Sequence, residues 1–512
     1  MKSVSRPVWS PDLNNGYYKN PIIHADYSDP DVIRVGTDYF MVASSFNMSP
    51  CLPILHSKDL VNWTLINHVS QTLPYEKYND PRHGEGVWAP SIRYHDGMFW
   101  VVFGMPDEGI FMSQTKDPFG EWSPLHLMKE VKGWIDPCPF WDDDGEAYLV
   151  HAFAKSRIGF KSKLQICKMS PDGLSLLDEG KMVFDGTLDH PTIEGPKMYK
   201  RNGYYYIFAP AGGVATGWQT ILRSKNIYGP YEDKIVLHQG NTAINGPHQG
   251  GWVETDLGES WFIHFQDKDA YGRITHLQPM KWEQDWPQIG VGEEDIKEPV
   301  LECKKPRTSV TQNQIQVPET SDNFDEPELG LQWQWRANVK KEWYELIDEK
   351  LRLYAHKRSA KTLYDTPQIV TQKFPALTFT ATTAITFTPK HEKITAGLFI
   401  GGFSYGGLKL KKTDDGFEVV QYKGQHTDDE TTESEQVVGE LQADTVYLRV
   451  HVDEHAACHF SFSDDNETFH KVKDVIEVTK GQWIGAIVGL FCINDAESES
   501  DDYADVNWFN IE

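Results

Sequence analysis

Three carboxylic acids open repeated segments of this 512-residue chain: Asp29 in "DPDVIRVGTDYFMVASSF", Asp136 in "DPCPFWDDDGEAYLVHAF" and Glu194 in "EGPKMYKRNGYYYIFAP". Carboxyl groups held together repel one another's charge, and such a site raises at least one pKa. One group then stays ionised and takes a proton from water, while another stays protonated and gives its proton to a departing oxygen. Asp-Pro is also a common turn element, so Asp29 and Asp136 taken singly read equally well as turn formers. Asp80-Pro81 and Asp117-Pro118 open no repeat and receive no chemical role. Glu has no turn preference, which makes Glu194 the hardest of the three to explain structurally.

The elements that must position these acids repeat through the first 300 residues. An apolar strand, a tight turn and a second apolar strand recur, with Gly36, Asp96-Gly97, Asp144-Gly145 and Asn202-Gly203 at the turns. Glycine supplies the positive φ that such hairpins need. With Asp29, Trp88, Asp136, Glu194 and His248 as markers, the spacings are 59, 48, 58 and 54 residues. A period near 50 with two hairpins per unit predicts the blades of a β-propeller, here five. Inner strands of a propeller start at its axis, so the three acids are expected to converge on one funnel. His248 is expected near the axis, where it would bind water or a cation. Arg273 reads either as a surface arginine or as a cation that holds a substrate hydroxyl or a neighbouring carboxylate. Trp88 is expected to form a pocket wall, with Phe46 and Trp218 as weaker candidates of the same kind.

Residues 301–320 are polar and contain proline, and read as a linker between a propeller over 1–300 and a second domain over 321–512. Strands of that second domain alternate: Val446, Leu448, Val450 and Val452 share one face, Tyr447, Arg449 and His451 the other. Two packed antiparallel sheets follow, and the fold class is all-β: propeller, then sandwich.

The chain carries 49 basic and 75 acidic side chains, for a net charge of −26. That surface repels phosphate backbones and anionic lipid, so neither nucleic acid nor a membrane is expected as a partner. A neutral substrate fits better, and 17 Trp with 22 Tyr suit the flat faces of sugars as well as sheet cores. Six widely spaced cysteines form no C-x-x-C pair and read as reduced thiols. The first residues hold no apolar run, which predicts a cytoplasmic protein. Whether the chain is a homo-oligomer stays open. An ionised and a protonated carboxyl facing one neutral substrate are what glycoside hydrolysis requires.

The segments "NPIIHADYSDPDVIRVGTDYFMVAS", "HSKDLVNWTLI", "GVWAPSIRYHDGMFWVVF", "WIDPCPFWDDDGEAYLV" and "TIEGPKMYKRNGYYYIFAPAGG" resemble glycoside hydrolase family 43. The tail opening with "DNFDEPELGLQWQWR" is similar to the concanavalin-like jelly roll of that family's β-xylosidase and arabinofuranosidase branches. The resemblance implies roles: Asp29 as general base, Glu194 as general acid, Asp136 as the acid that tunes and orients it. Arg273 would reach sugar hydroxyls, and His248 matches a histidine at the propeller centre, where some members carry a calcium ion; the chemistry itself requires no cofactor. It further implies an inverting, exo-acting enzyme on a terminal pentose, with a sandwich loop closing the pocket, for which "GGFSYGG" from Gly401 is the candidate. An aromatic "FEWFPG" segment of the xylosidase branch is replaced by "FNMSPC" at Phe46–Cys51, and "GGVATGWQ" from Gly212 resembles the arabinofuranosidase-containing branch. α-L-Arabinofuranosidase is therefore the expected main activity on hemicellulose oligosaccharides, with β-D-xylosidase the alternative. A retaining fructan-active propeller would need signatures that Ile135 before Asp136 and Gly195 after Glu194 do not supply. A non-catalytic carbohydrate-binding protein would not need all three acids.

Overall fold

Five antiparallel sheets surround a common axis in the computed structural model, which describes residues 7–310, 312, 314–358 and 360–512. The first six residues, on which the cytoplasmic expectation rests, lie outside the described residues, as do two positions of the expected linker. Blade one runs Asp31–Val35, Asp38–Val42, Cys51–Ser57 and Trp63–Ser70. Blades two, three and four start with inner strands Trp88–His95, Trp134–Trp141 and Lys197–Arg201 and step outward in sequence order. Blade five differs. Its strands His248–Glu254, Ser260–Asp267 and Arg273–Glu283 are completed by Ile23–Asp26 from the start of the chain. That early strand closes the ring.

The hairpin turns lie where glycine was read. Asp96 and Gly97 have φ of 53° and 77°, and Asn202 and Gly203 have 51° and 75°. Two consecutive left-handed residues make the turn whose twist matches the flanking strands. Around the axis the blades meet through Asp31, which is wholly buried. Its Oδ2 accepts the Ile92 N–H at 2.9 Å and Arg93 Nη1 at 2.6 Å, and Arg93 Nη2 reaches Cys138 Sγ at 2.9 Å. One buried ion pair thus ties blades one, two and three beneath the funnel.

The C-terminal domain is a sandwich of a seven-stranded and an eight-stranded antiparallel sheet. Val446, Leu448, Val450 and Val452 are all buried in its core, as the alternation predicts. The sandwich docks on blade one by main-chain pairing: Ser49 N–H donates to Trp335 O at 2.9 Å, and Trp335 N–H returns to Ser49 O at 2.6 Å. Asn338 repeats the pattern with its side chain, accepting the Leu73 N–H at 2.7 Å and donating to Leu73 O at 2.9 Å. Glu302–Lys304 pairs with Tyr17–Lys19, so the start of the stretch read as a linker lies against the propeller.

Leu277 lies wholly buried in blade five between the closing strand and its neighbours. Leu277→Ala is expected to cost about 2–5 kcal/mol, the usual range for a cavity in a packed core. Urea unfolding should show a lower midpoint with little change in slope.

Candidate active site

Within two residues of the start of each inner strand one residue lies in the left-handed region: Asp29 (φ 54°), Ala89 (21°), Asp136 (56°), Gly195 (58°) and Gln249 (37°). The kink turns the chain so that neighbouring residues in sequence both reach the top of the funnel. It also corrects the phase read from the sequence. Asp29 and Asp136 occupy the kinked position, whereas Trp88, Glu194 and His248 each precede it by one residue. The pocket is consequently built in two tiers. Asp29, Ala89, Asp136 and Gln249 line it from the kinks, and Trp88, Ile135 and Glu194 from the residues before them. Phe46, Val214, Arg273 and Trp483 complete a pocket of about 470 Å³ including its open mouth.

The three acids have distinct surroundings. Asp29 is buried; its Oδ2 accepts Ser44 Oγ at 2.6 Å and Ser28 Oγ at 3.1 Å, and Arg273 Nη1 lies 3.2 Å from Oδ1 and 3.3 Å from Oδ2. Asp136, equally buried, accepts only the Gly195 N–H at 2.8 Å and a long contact from Gln249 Nε2 at 3.4 Å. Burial pushes the Asp136 carboxyl up to about 8, and the charges of Glu194 and Asp29 add to the rise; the Gly195 N–H and Lys197 act in the opposite sense. Lys197 is itself wholly buried and donates to Pro90 O at 3.0 Å and Ser91 Oγ at 2.9 Å, both neutral acceptors. Glu194 is the open member, its side chain 22% exposed. His248 Nε2 stands 2.9 Å from its Oε1. Among the described residues no protein group bonds Glu194 Oε2.

His248 was expected as a cation ligand. It is wholly buried, with Nε2 committed to Glu194 and Nδ1 without a partner. Calcium asks for six to eight oxygens, and among the described residues no cluster of three His, Cys, Asp or Glu is arranged to hold a metal. With Nε2 on Glu194 Oε1, the ring stands where it orients that carboxyl. Trp218 also departs from expectation. It lies outside the pocket lining, with its Nε1 3.4 Å from His190 Nδ1 and its ring against Gly212.

A family model described as "Glycosyl hydrolases family 43" matches residues 18–287, and one described as "Beta xylosidase C-terminal Concanavalin A-like domain" matches residues 321–512. The chain belongs to glycoside hydrolase family 43. A protein of Xylanibacter ruminicola named "Putative beta-xylosidase" is 41% identical over 487 residues, covering 93% of this chain and 86% of its own. A protein of Formosa agariphila named "Beta-xylosidase" is 32% identical over 98% of this chain and 91% of its own. A Bacteroides ovatus protein named as a non-reducing end α-L-arabinofuranosidase is 28% identical over 96% of this chain and 94% of its own. The solved structure titled "Bacteroides ovatus Xyloglucan PUL GH43B" superposes with a TM-score of 0.81 at 25% identity, covering 97% of this chain and 99% of that one. The protein is thus a glycoside hydrolase with a carbohydrate substrate.

In this family 43 chain the sandwich closes the pocket, but through Trp483 rather than through "GGFSYGG". Gly401 ends one strand, and the hairpin after it buttresses the true loop: Phe403 N–H donates to Lys480 O at 3.0 Å, and Gly402 packs on residues 479–481. Lys480 is also paired with Asp267 of blade five at 2.8 Å. Trp483 meets Trp88 edge-on at 6.1 Å between ring centroids, and the Arg273 guanidinium lies 5.7 Å from its ring. Phe46 meets Trp88 at 6.4 Å. The wall missing from "FNMSPC" is supplied in part from another domain. Nothing in the sequence around Trp483 marks it, because its role arises only when two domains meet.

Two outcomes follow from this geometry. Asp136 carries a higher pKa folded than unfolded, so its protonation stabilises the fold fully below about pH 4. That contribution is lost as the pH rises towards about 8. Asp136→Asn removes the titration, and its stability advantage over the parent should grow across that window by more than about 1 kcal/mol. Thermal melts at both ends of the window measure it, and a pH-independent difference contradicts the assignment. Trp483→Ala should raise KM by about tenfold, or 1.4 kcal/mol, with kcat less affected. Steady-state kinetics on an aryl pentoside reads both constants.

Proposed function

We propose that this family 43 enzyme is an exo-acting, inverting β-D-xylosidase that releases terminal xylose from hemicellulose oligosaccharides, with α-L-arabinofuranoside cleavage as a second activity. The observation that carries the proposal is the meeting of Asp29, Asp136 and Glu194 in one pocket roofed by Trp483. A roofed pocket suits a terminal residue better than a continuous chain. The order of the two sugars reverses the one expected from "GGVATGWQ". The relatives with the higher identities carry xylosidase names, and that supports xylose first. The Bacteroides ovatus relative supports retaining arabinose as the second sugar.

In this reading Asp29 is the general base. Arg273 and the two serine hydroxyls fix its carboxyl, and it takes a proton from water attacking the anomeric carbon. Glu194 is the general acid: it protonates the leaving oxygen through Oε2, while His248 holds Oε1. Asp136, held in the kink by the N–H of Gly195, the residue after Glu194, orients the general acid. Inversion follows if water and leaving group occupy opposite faces of the sugar in one displacement.

Asp29→Asn is expected to lower kcat on an aryl xyloside by about 10³-fold or more, and Glu194→Gln to lower kcat on unactivated oligosaccharides by as much, with the circular dichroism spectrum intact. Glu194→Gln should spare substrates with nitrophenol leaving groups relative to unactivated oligosaccharides, since only poor leaving groups need the acid. Proton NMR of the first-formed sugar tests inversion, and a retained anomer ends it. A kcat/KM on arabinofuranoside above that on xyloside would restore the other order.

A further inference from the structure

We propose that Asp26, outside the catalytic trio, is a positioning residue that sets Arg273 and Trp483 in register across the domain boundary. The carboxylate sits at the end of the closing strand, buried, at a shift in its register with Arg273–Glu283. Its Oδ1 accepts the Arg273 N–H at 2.8 Å. Its Oδ2 accepts the Gly485 N–H, also at 2.8 Å, from the sandwich. One oxygen thus holds the main chain of the arginine on Asp29. The other holds the loop two residues after the tryptophan that roofs the pocket.

The surrounding backbone has been cleared for this contact. Gly272 has φ of 73°, and a Cβ there would come 2.5 Å from Asp26 Cγ. A Cβ on Gly485 would come 2.7 Å from Gly272 N. Only with both side chains absent do three main-chain segments from two domains meet on one carboxylate. Ala486 N–H donates to Ala270 O at 2.7 Å and extends the junction. Lys373 of the sandwich faces Asp26 across a small interdomain cavity that Met48, Gln372 and Ile484 also line, and its charge balances the buried carboxylate. Burial raises the Asp26 pKa, and Lys373 with the two amide donors pulls the other way. A charge-assisted bond to a main-chain N–H is among the stronger neutral-to-charged contacts, and a buried amide left without its acceptor costs about 1–3 kcal/mol. Losing Asp26 frees both amides at once, and small displacements of clamping groups lower rates by large factors.

The kinetic part of this inference rests on the glycosidase reading; the exchange part does not. Amide hydrogen exchange on the full chain, followed in peptides covering 271–275 and 481–486, compares the parent with Asp26→Ala, which removes both acceptors. Both peptides should exchange about tenfold faster, while peptides around Ser49 and Trp335 keep their protection. On an aryl xyloside, Asp26→Ala should raise KM and lower kcat/KM by about tenfold or more. In a Trp483→Ala background its effect on KM should shrink to within about threefold, because the roof it positions is gone. Unchanged exchange, a change in only one of the two peptides, or full multiplication of the two KM effects overturns the proposal. Should Asp26→Ala fail to fold, Asp26→Asn, which keeps one acceptor and must quicken at least one of the two peptides, is read instead; failure of both makes Asp26 merely structural and also overturns the proposal. A parent inactive on every glycoside tried, with both peptides responding as expected, would refute the function and leave this inference standing.

Discussion

Three carboxyl groups share one largely buried pocket, and the cost of crowding their charges shapes what surrounds them. Water would screen them, but a hydrolase pocket must exclude most water to make its electrostatics count. Graded support replaces the solvent. Asp29 receives a guanidinium and two hydroxyls, and Asp136 receives one amide and the more distant charge of Lys197. Glu194 is left partly open, with one imidazole beside it. The groups thereby sit in different surroundings although their chemistry is nearly the same, which is the condition for acid and base to work side by side.

That grading requires backbone strain. Left-handed residues recur at the head of all five inner strands, and Ala89 at φ 21° has no side-chain compensation for it. Such conformations cost of order 1–3 kcal/mol each and persist only where surrounding structure over-determines them. Here the axial hub of Asp31, Arg93 and Cys138 supplies the constraint from below. The same kinks give the site its two tiers, since consecutive residues on one strand would otherwise point to opposite faces.

The legibility of the fold and the site follows from which physical signals are local. Hairpins were readable because Asn202-Gly203 and Asp96-Gly97 declare their turns in two letters. The alternation from Val446 to Val452 declares one buried face just as directly. Asp29, Asp136 and Glu194 stood out because acids at the head of apolar strands have no packing reason. The phase of Glu194, Trp88 and His248 was misjudged by one residue because a left-handed kink leaves no fixed mark when the kinked residue is Ala89 or Gln249. His248 looked like a ligand since its bond to Glu194 depends on that hidden phase. Trp218, read as a wall, turns towards His190, with its ring packed against Gly212 where a Cβ would clash. Trp483 was invisible for a different reason: its significance comes from a partner surface hundreds of residues away.

Ring closure by Ile23–Asp26 carries a consequence for synthesis. This segment emerges from the ribosome early, yet its hydrogen-bonding partner, Arg273–Glu283, is some 250 residues downstream. At translation rates of about 5–20 residues per second the wait is roughly 12–50 s. Throughout it, an apolar strand edge that later seals the barrel-like ring is exposed to every other nascent strand edge, the circumstance in which mispairing between chains is favoured. The residue that ends this waiting strand is Asp26, so the last pairing of the propeller and the seating of the sandwich converge on the same few atoms.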